Sequence, residues 1–132
     1  MTEHTGGCLC GAVRFRAEGA PGDVGYCHCD MCRKASGAPL ITYASFDASQ
    51  VTFTVGAPRF RRSSDFARRG FCVACGSQLV YQADATPEKI TLNVGCFDHP
   101  EAVQPTEHIF EAERIPWVKM DDGLPRHDGW GS

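Results

Sequence analysis

The chain has 132 residues, 42% of them hydrophobic and 22% charged, a balance that suits one globular domain with a core of its own. A formal charge of −3 argues against nucleic acid as a default partner. The sequence opens without a basic, then apolar, leader and holds no run near the roughly 20 apolar residues of a membrane span, so a soluble, cytoplasmic protein with no membrane partner is expected.

In chain order, Val13, Phe15 and Ala17 alternate with Arg14 and Arg16, the two-residue period of a half-buried strand, and a first strand is expected over Cys8–Ala17. Residues 19–25, with Pro21 and three glycines, read as a turn leading through Tyr26 into a cysteine cluster that ends at Cys32, with a short helical turn after it through Ser36. Further strands are expected over Leu40–Phe46, Val51–Val55, Arg59–Arg62, Phe66–Phe71, Gln78–Gln82, Lys89–Val94 and His108–Glu111, with Gly, Pro, Asp or Ser between them. Short strands at this spacing mean mostly antiparallel β. The chain reads as a single domain over 1–132, with a core from about residue 6 to 119 and a tail from about 120 to 132 that is loop.

Eight cysteines without a secretory leader point to metal ligation rather than a disulfide framework. Two arms, Cys8-Leu9-Cys10-Gly11 and Cys72-Val73-Ala74-Cys75-Gly76, each end in Cys-Gly. Glycine at that position admits positive φ, so that a following amide can turn back and donate to the thiolate. Two such arms complete a tetrahedral four-sulfur shell with no open position, the character of a structural zinc, and would clamp the first strand to a distant hairpin.

The run Cys27-His28-Cys29-Asp30-Met31-Cys32 is different. Cys27 and Cys29 share a face in an extended segment, and a turn through Asp30-Met31 brings Cys32 to the same point. Three sulfurs then converge and a fourth position is open, where a water or substrate thiol can bind and lose its proton. Arg33 and Lys34 follow at once, and their charge favours thiolates and anionic substrates. Two readings stand for Cys96: a small buried hydrophobe on the strand ending at Gly95, or a fourth sulfur that closes the second site. His28 is expected to point away from the sulfurs and to make a supporting hydrogen bond rather than bind metal.

The motifs C-L-C-G, C-H-C-x-x-C-R, F-C-x-x-C-G-S-x-L, G-x-F-D, P-x-x-H-I-F and W-x-x-x-D-D-G-L-P, spread from Gly7 to Pro125, resemble the pattern of the glutathione-dependent formaldehyde-activating enzymes, also called the centromere protein V family. The resemblance implies a β-tent fold, a structural zinc on Cys8, Cys10, Cys72 and Cys75, and a catalytic zinc on Cys27, Cys29 and Cys32. It further implies a carbon–sulfur lyase that adds the small thiol glutathione to formaldehyde, giving S-hydroxymethylglutathione. Fold and zinc sites transfer within a family more readily than substrate does.

Two other classes compete. A zinc module of this kind can hold a thiol adduct without catalysing its formation, and rates above the spontaneous reaction separate the two. A nucleic-acid or chromatin-binding module would use Arg59, Arg61, Arg62, Arg68 and Arg69, against which stand the net charge and the interruption at Asp65.

Overall fold

The computed structural model describes residues 2–131, so that Ser132, the last residue of the expected tail, lies outside it. Its strands are β1 (Glu3–Gly7), β2 (Arg14–Glu18), β3 (Val24–Cys27), β4 (Ile41–Asp47), β5 (Val51–Val55), β6 (Arg59–Arg62), β7 (Ala67–Phe71), β8 (Gln78–Ala83), β9 (Lys89–Asn93) and β10 (His108–Ile109), with one helix, α1 (Asp30–Ser36). The architecture is mainly β, as the strand spacing and the family resemblance lead one to expect. A three-stranded sheet runs β1-β2-β5 and a seven-stranded sheet runs β10-β3-β4-β9-β8-β7-β6. Every pairing is antiparallel except that of β10 with β3, which is parallel.

Alternation places the core. Phe15 and Ala17 from one sheet, Val13 from the turn before it, and Phe46, Leu79, Ile90 and Leu92 from the other sheet are buried in a common cluster. Phe15 meets Phe97 edge-on at 5.7 Å between ring centroids. The sheets are stapled by Asp98, whose carboxylate accepts from Thr5 Oγ1 at 2.8 Å and from Arg14 Nη1 at 3.0 Å, and whose amide donates to the Thr5 carbonyl. Gly6 bridges to Phe97 there, and a Cβ on it would lie 2.4 Å from the Cys96 carbonyl oxygen.

Several expectations change. The first strand does not run from Cys8, because the segment 8–13 folds into a tight turn around the Cys8 sulfur and β2 begins at Arg14. Strands β1 and β3 had no strand signal: β1 ends in Gly6-Gly7 and β3 contains Gly25, residues with no side chain to pack. Close approach requires Gly25, where an added Cβ would sit 2.7 Å from the Tyr43 hydroxyl. The strand expected over Lys89–Val94 stops at Asn93 and turns into a 3₁₀ segment, Val94–Cys96, so Cys96 lies on no strand. The strand expected over His108–Glu111 ends at Ile109, since Phe110 adopts φ 53°. The tail carries no strand but is not free loop: His108 and Phe110 donate to the Pro125 and Gly129 carbonyls, and His127 donates back to His108. Among the described residues no helix is long and apolar enough to cross a membrane.

Candidate active site

The two cysteine arms meet. Cys8, Cys10, Cys72 and Cys75 offer four sulfurs within 4.8 Å of one another, with Cys8 and Cys10 3.7 Å apart and Cys10 and Cys72 3.8 Å apart. Four thiolates around a zinc at about 2.3 Å would stand about 3.8 Å apart, so the donor set fits that ion. Gly11 and Gly76 take φ of 84° and 79°, and the Val13 amide turns back to donate to Cys8 Sγ at 3.2 Å. Ser77 joins the arms, its hydroxyl accepting from the Leu9 amide at 3.0 Å and standing 3.2 Å from Cys75 Sγ. That contact heads the causes that lower the Cys75 thiol to about 5.

Cys27, Cys29 and Cys32 form a second group, all three buried. Strand β3 ends at Cys27, and Cys29 caps α1 in extended geometry (φ −62°, ψ 149°), its sulfur accepting from the Cys32 amide at 3.2 Å. The C-x-x-C segment is therefore the first turn of a helix, closed at Gly37 by a left-handed residue, rather than an isolated turn. Cys27 and Cys32 sulfurs are 3.4 Å apart. Contacts with Cys27 and Cys29, and then the Arg69 guanidinium 3.7 Å away, hold the Cys32 thiol down at about 3. The basic residue that reaches a sulfur is thus Arg69, across the sheet on β7. Arg33 and Lys34 sit in the last turn of α1 and do not line the cavity at the cysteines. Sequence alternation alone left Arg69 among many arginines on strand faces.

That cavity, of about 470 Å³, is the setting that separates the two groups: the triad lines it and the four-sulfur cluster does not. Its floor crosses the large sheet along cross-strand neighbours Arg69, Tyr81, Thr91 and Ser45. The Ser45 and Thr91 hydroxyls are 3.1 Å apart, so one donates to the other and the second proton is free for a ligand oxygen. Tyr43 donates to Glu107 Oε2 at 2.7 Å, and its own proton is held more firmly than usual by burial and by that carboxylate. Trp130 from the tail packs edge-on to Phe110 at 4.8 Å and forms part of the wall.

Cys96 stands apart from the triad. Its thiol donates to the Gln78 carbonyl at 3.3 Å, and burial first, then the nearby Cys8 and Cys75, push it up to about 11. It is partly buried against the main core, on a 3₁₀ turn near the four-sulfur group rather than on a strand.

His28 turns away from its cysteine neighbours toward a smaller cavity on the other side. Its Nε2 is 2.8 Å from His108 Nδ1, and His108 Nε2 is 2.8 Å from Asp122 Oδ2. With both imidazoles protonated on Nε2, one consistent chain of donors runs His28 to His108 to Asp122. Burial lowers His28, keeping it neutral. His28, His108 and Glu111 also have metal-compatible spacing, but Arg114 and Arg126 lie 2.8 and 3.5 Å from Glu111, and two guanidinium groups make a poor neighbourhood for a cation. On the arginine hairpin, Arg62 pairs with Asp84 and Arg68 binds Gln82 and covers the Phe60 ring.

The profile of the glutathione-dependent formaldehyde-activating enzyme family matches residues 3–113. The chain belongs to this family. A relative in Schizosaccharomyces pombe, named as an uncharacterized lyase, is 31% identical over 81 residues, which is 61% of this chain and 58% of that protein, so the match spans little more than half of the relative's length. A crystal structure of a Rhodobacter sphaeroides protein superposes with a TM-score of 0.59 at 22% identity, covering 92% of this chain and 98% of the other, and shares the fold. The family match takes in all eight cysteines, Arg69, Glu107 and His108, while Asp122 and Trp130, which complete the histidine chain and the cavity wall, lie beyond it.

Proposed function

We propose that this member of the family is a carbon–sulfur lyase-type enzyme acting on the adduct of a small thiol and an aldehyde, the family's name carrying glutathione and formaldehyde as the pair. In this reading Cys27, Cys29 and Cys32 hold a catalytic zinc, and Cys8, Cys10, Cys72 and Cys75 hold a structural one. The observation that carries it is the contrast in surroundings: a closed four-sulfur group away from the cavity, and a buried three-sulfur group opening into it. The family membership and the name of the fission-yeast relative support the lyase class.

A zinc ion held by three thiolates supplies Lewis acidity that favours the thiolate form of an incoming thiol. The protein's own groups do the rest. The apolar wall excludes water and holds the two reactants together. In the forward direction the thiol sulfur forms a bond to the carbonyl carbon, the C=O π pair becomes an oxygen lone pair, and the thiol proton ends on that oxygen. The free hydroxyl proton of the Ser45–Thr91 pair is the donor for the developing alkoxide. In reverse, the same groups break the C–S bond and return thiol and aldehyde.

Zinc content of the purified protein, with and without excess thiol, should show two ions per chain, one of which responds to thiol. Formation of the hydroxymethyl thioether followed by NMR should exceed the spontaneous thiol–aldehyde rate. Two zinc ions with thiol binding but no rate above background would make the protein a carrier of the adduct.

A further inference from the structure

The cavity at the triad is apolar over most of its wall and acidic where it is charged. Asp23, Glu107 and Glu113 line it, against one guanidinium, Arg69. Arg69 is already committed, with Nη2 on Cys32 Sγ and its guanidinium 5.0 Å from the Tyr81 ring. With zinc in place, the charge of the ion and of Arg69 would balance the three thiolates, and the three carboxylates would remain. Among the described residues none of them pairs with lysine or arginine within 4 Å, although Lys89, itself paired with Asp47, is near enough to feel the charge of Asp23. Glu113 Oε1 accepts from the Asp30 amide at 3.1 Å; Glu107 accepts from Tyr43 and has His127 Nε2 at 3.6 Å; Asp23 is exposed and has no ion pair. Arg61, opposite Arg69 on β6, lies outside the cavity. Met31, Phe66 and Trp130, at 42%, 48% and 63% exposure, give the mouth an apolar rim.

We infer that the thiol taken by this site bears an amine and no free carboxylate: an aminothiol, or the aldehyde adduct of one, with its sulfur at the triad and its ammonium toward Glu107 and Asp23. The inference rests on the reading of the triad as the reaction centre. Glutathione, which carries two carboxylates and one ammonium at neutral pH, would bring anionic groups into a field of the same sign, inside walls whose one guanidinium, Arg69, is already held at Cys32. An ammonium meets the opposite situation. At Glu107 it finds a carboxylate oriented by Tyr43, with apolar surface to strengthen the attraction. The bond changes are those already given, with the amine a spectator.

The test compares small thiols on the zinc-loaded chain by calorimetry: cysteamine, 2-mercaptoethanol, 3-mercaptopropionate and glutathione. The first three share a two-carbon arm and differ in terminal charge. Cysteamine should bind at least about 10-fold more tightly than 3-mercaptopropionate and more tightly than glutathione, with a preference that shrinks as salt is raised. Because the probes also differ in thiol acidity, the deciding quantity is how their affinity ratio changes in Glu107→Gln and in Asp23→Asn. Each variant should narrow the cysteamine to mercaptopropionate ratio several-fold while leaving 2-mercaptoethanol nearly unchanged. Tighter binding of glutathione than of cysteamine, or a ratio that neither variant moves, would overturn the amine assignment and leave the lyase reading intact. If no thiol binds, or if Cys29→Ser binds them as well as the parent chain, the lyase reading falls and this inference with it.

Discussion

The two cysteine groups differ at the level of single atoms in what satisfies each sulfur. Cys8 Sγ receives the Val13 amide and Cys29 Sγ the Cys32 amide, both at 3.2 Å, so a thiolate at either position has a donor before any metal arrives. The consequence for substitution is a division of labour. Cys29→Ser should fold, retain one zinc and lose the response to thiol; loss of both metals together with the fold would show that the triad is structural too. Cys96 offers the control. Among the described residues its thiol bonds only the Gln78 carbonyl, so Cys96→Ala should cost about 1 kcal/mol in packing and keep both zinc ions. Zinc content measured on the two variants in parallel checks both statements, and a drop in zinc for Cys96→Ala would return that sulfur to the list of ligands.

Elements in this chain are short, and what joins them is concentrated at a few polar contacts. Asp98 ties the turn after β9 to β1 and β2 through Thr5 and Arg14. Those partners, Arg14 first, depress its carboxyl from 3.8 to about 2. A depressed folded-state value means that the contact stabilises above the unfolded value of 3.8 and that its contribution is lost as pH falls toward about 2. Both side chains are about one third exposed, which limits the gain to about 1 kcal/mol or less at neutral pH. Asp98→Asn should therefore melt slightly below the parent chain at pH 7, by a gap that narrows as salt is raised. Thermal melts at low and high salt decide; an offset that salt does not move would mean that the carboxylate's charge has no part in it. The tail is the other instance. His108, buried between His28 and Asp122, needs an acceptor on Nε2, so Asp122→Ala should cost about 1–3 kcal/mol, read as a shift in denaturant midpoint with unchanged slope.

Over the whole molecule, the chain divides its core between two sheets, and the four-sulfur group lies where a turn before β2 meets the β7–β8 connection. If that group holds zinc, the ion links segments more than sixty positions apart, and metal binding is folding free energy, on the order of 10 kcal/mol for structural sites. Cys75→Ser should then be insoluble or unfolded. Chelation of the parent chain should remove the triad's metal first, with the fold intact, and unfold the protein only when the second ion leaves. Circular dichroism followed together with zinc release resolves the two steps, and a Cys75→Ser chain with an unchanged melting temperature would sink the clamp.

Cysteine spacing by itself was enough to sort the ligand candidates into a four and a three, because sulfur is scarce, its chemistry is specific, and a C-x-C or C-x-x-C pair brings its members together through local backbone geometry alone. Period-two alternation likewise marked β2, since burial on one face leaves that trace directly in residue type, and strand-like runs between turn residues marked most of the long sheet. What only the tertiary structure decided are the relations between distant segments. Strands β1 and β3 escaped notice because their glycines are there for close approach, a demand made by Cys96, Tyr43 and Glu107 across the fold and invisible to propensity. Arg69, rather than the adjacent Arg33, reaches Cys32 because the register of β7 and β8 aims it there. His108, Asp122 and Trp130 join the site's surroundings through a tail with no regular element of its own. The acidic lining of the cavity arises in the same way, from Asp23, Glu107 and Glu113 on three separate connections. Local chemistry is written in neighbouring residues, whereas the composition of a cavity depends on which faces the sheet turns toward one another.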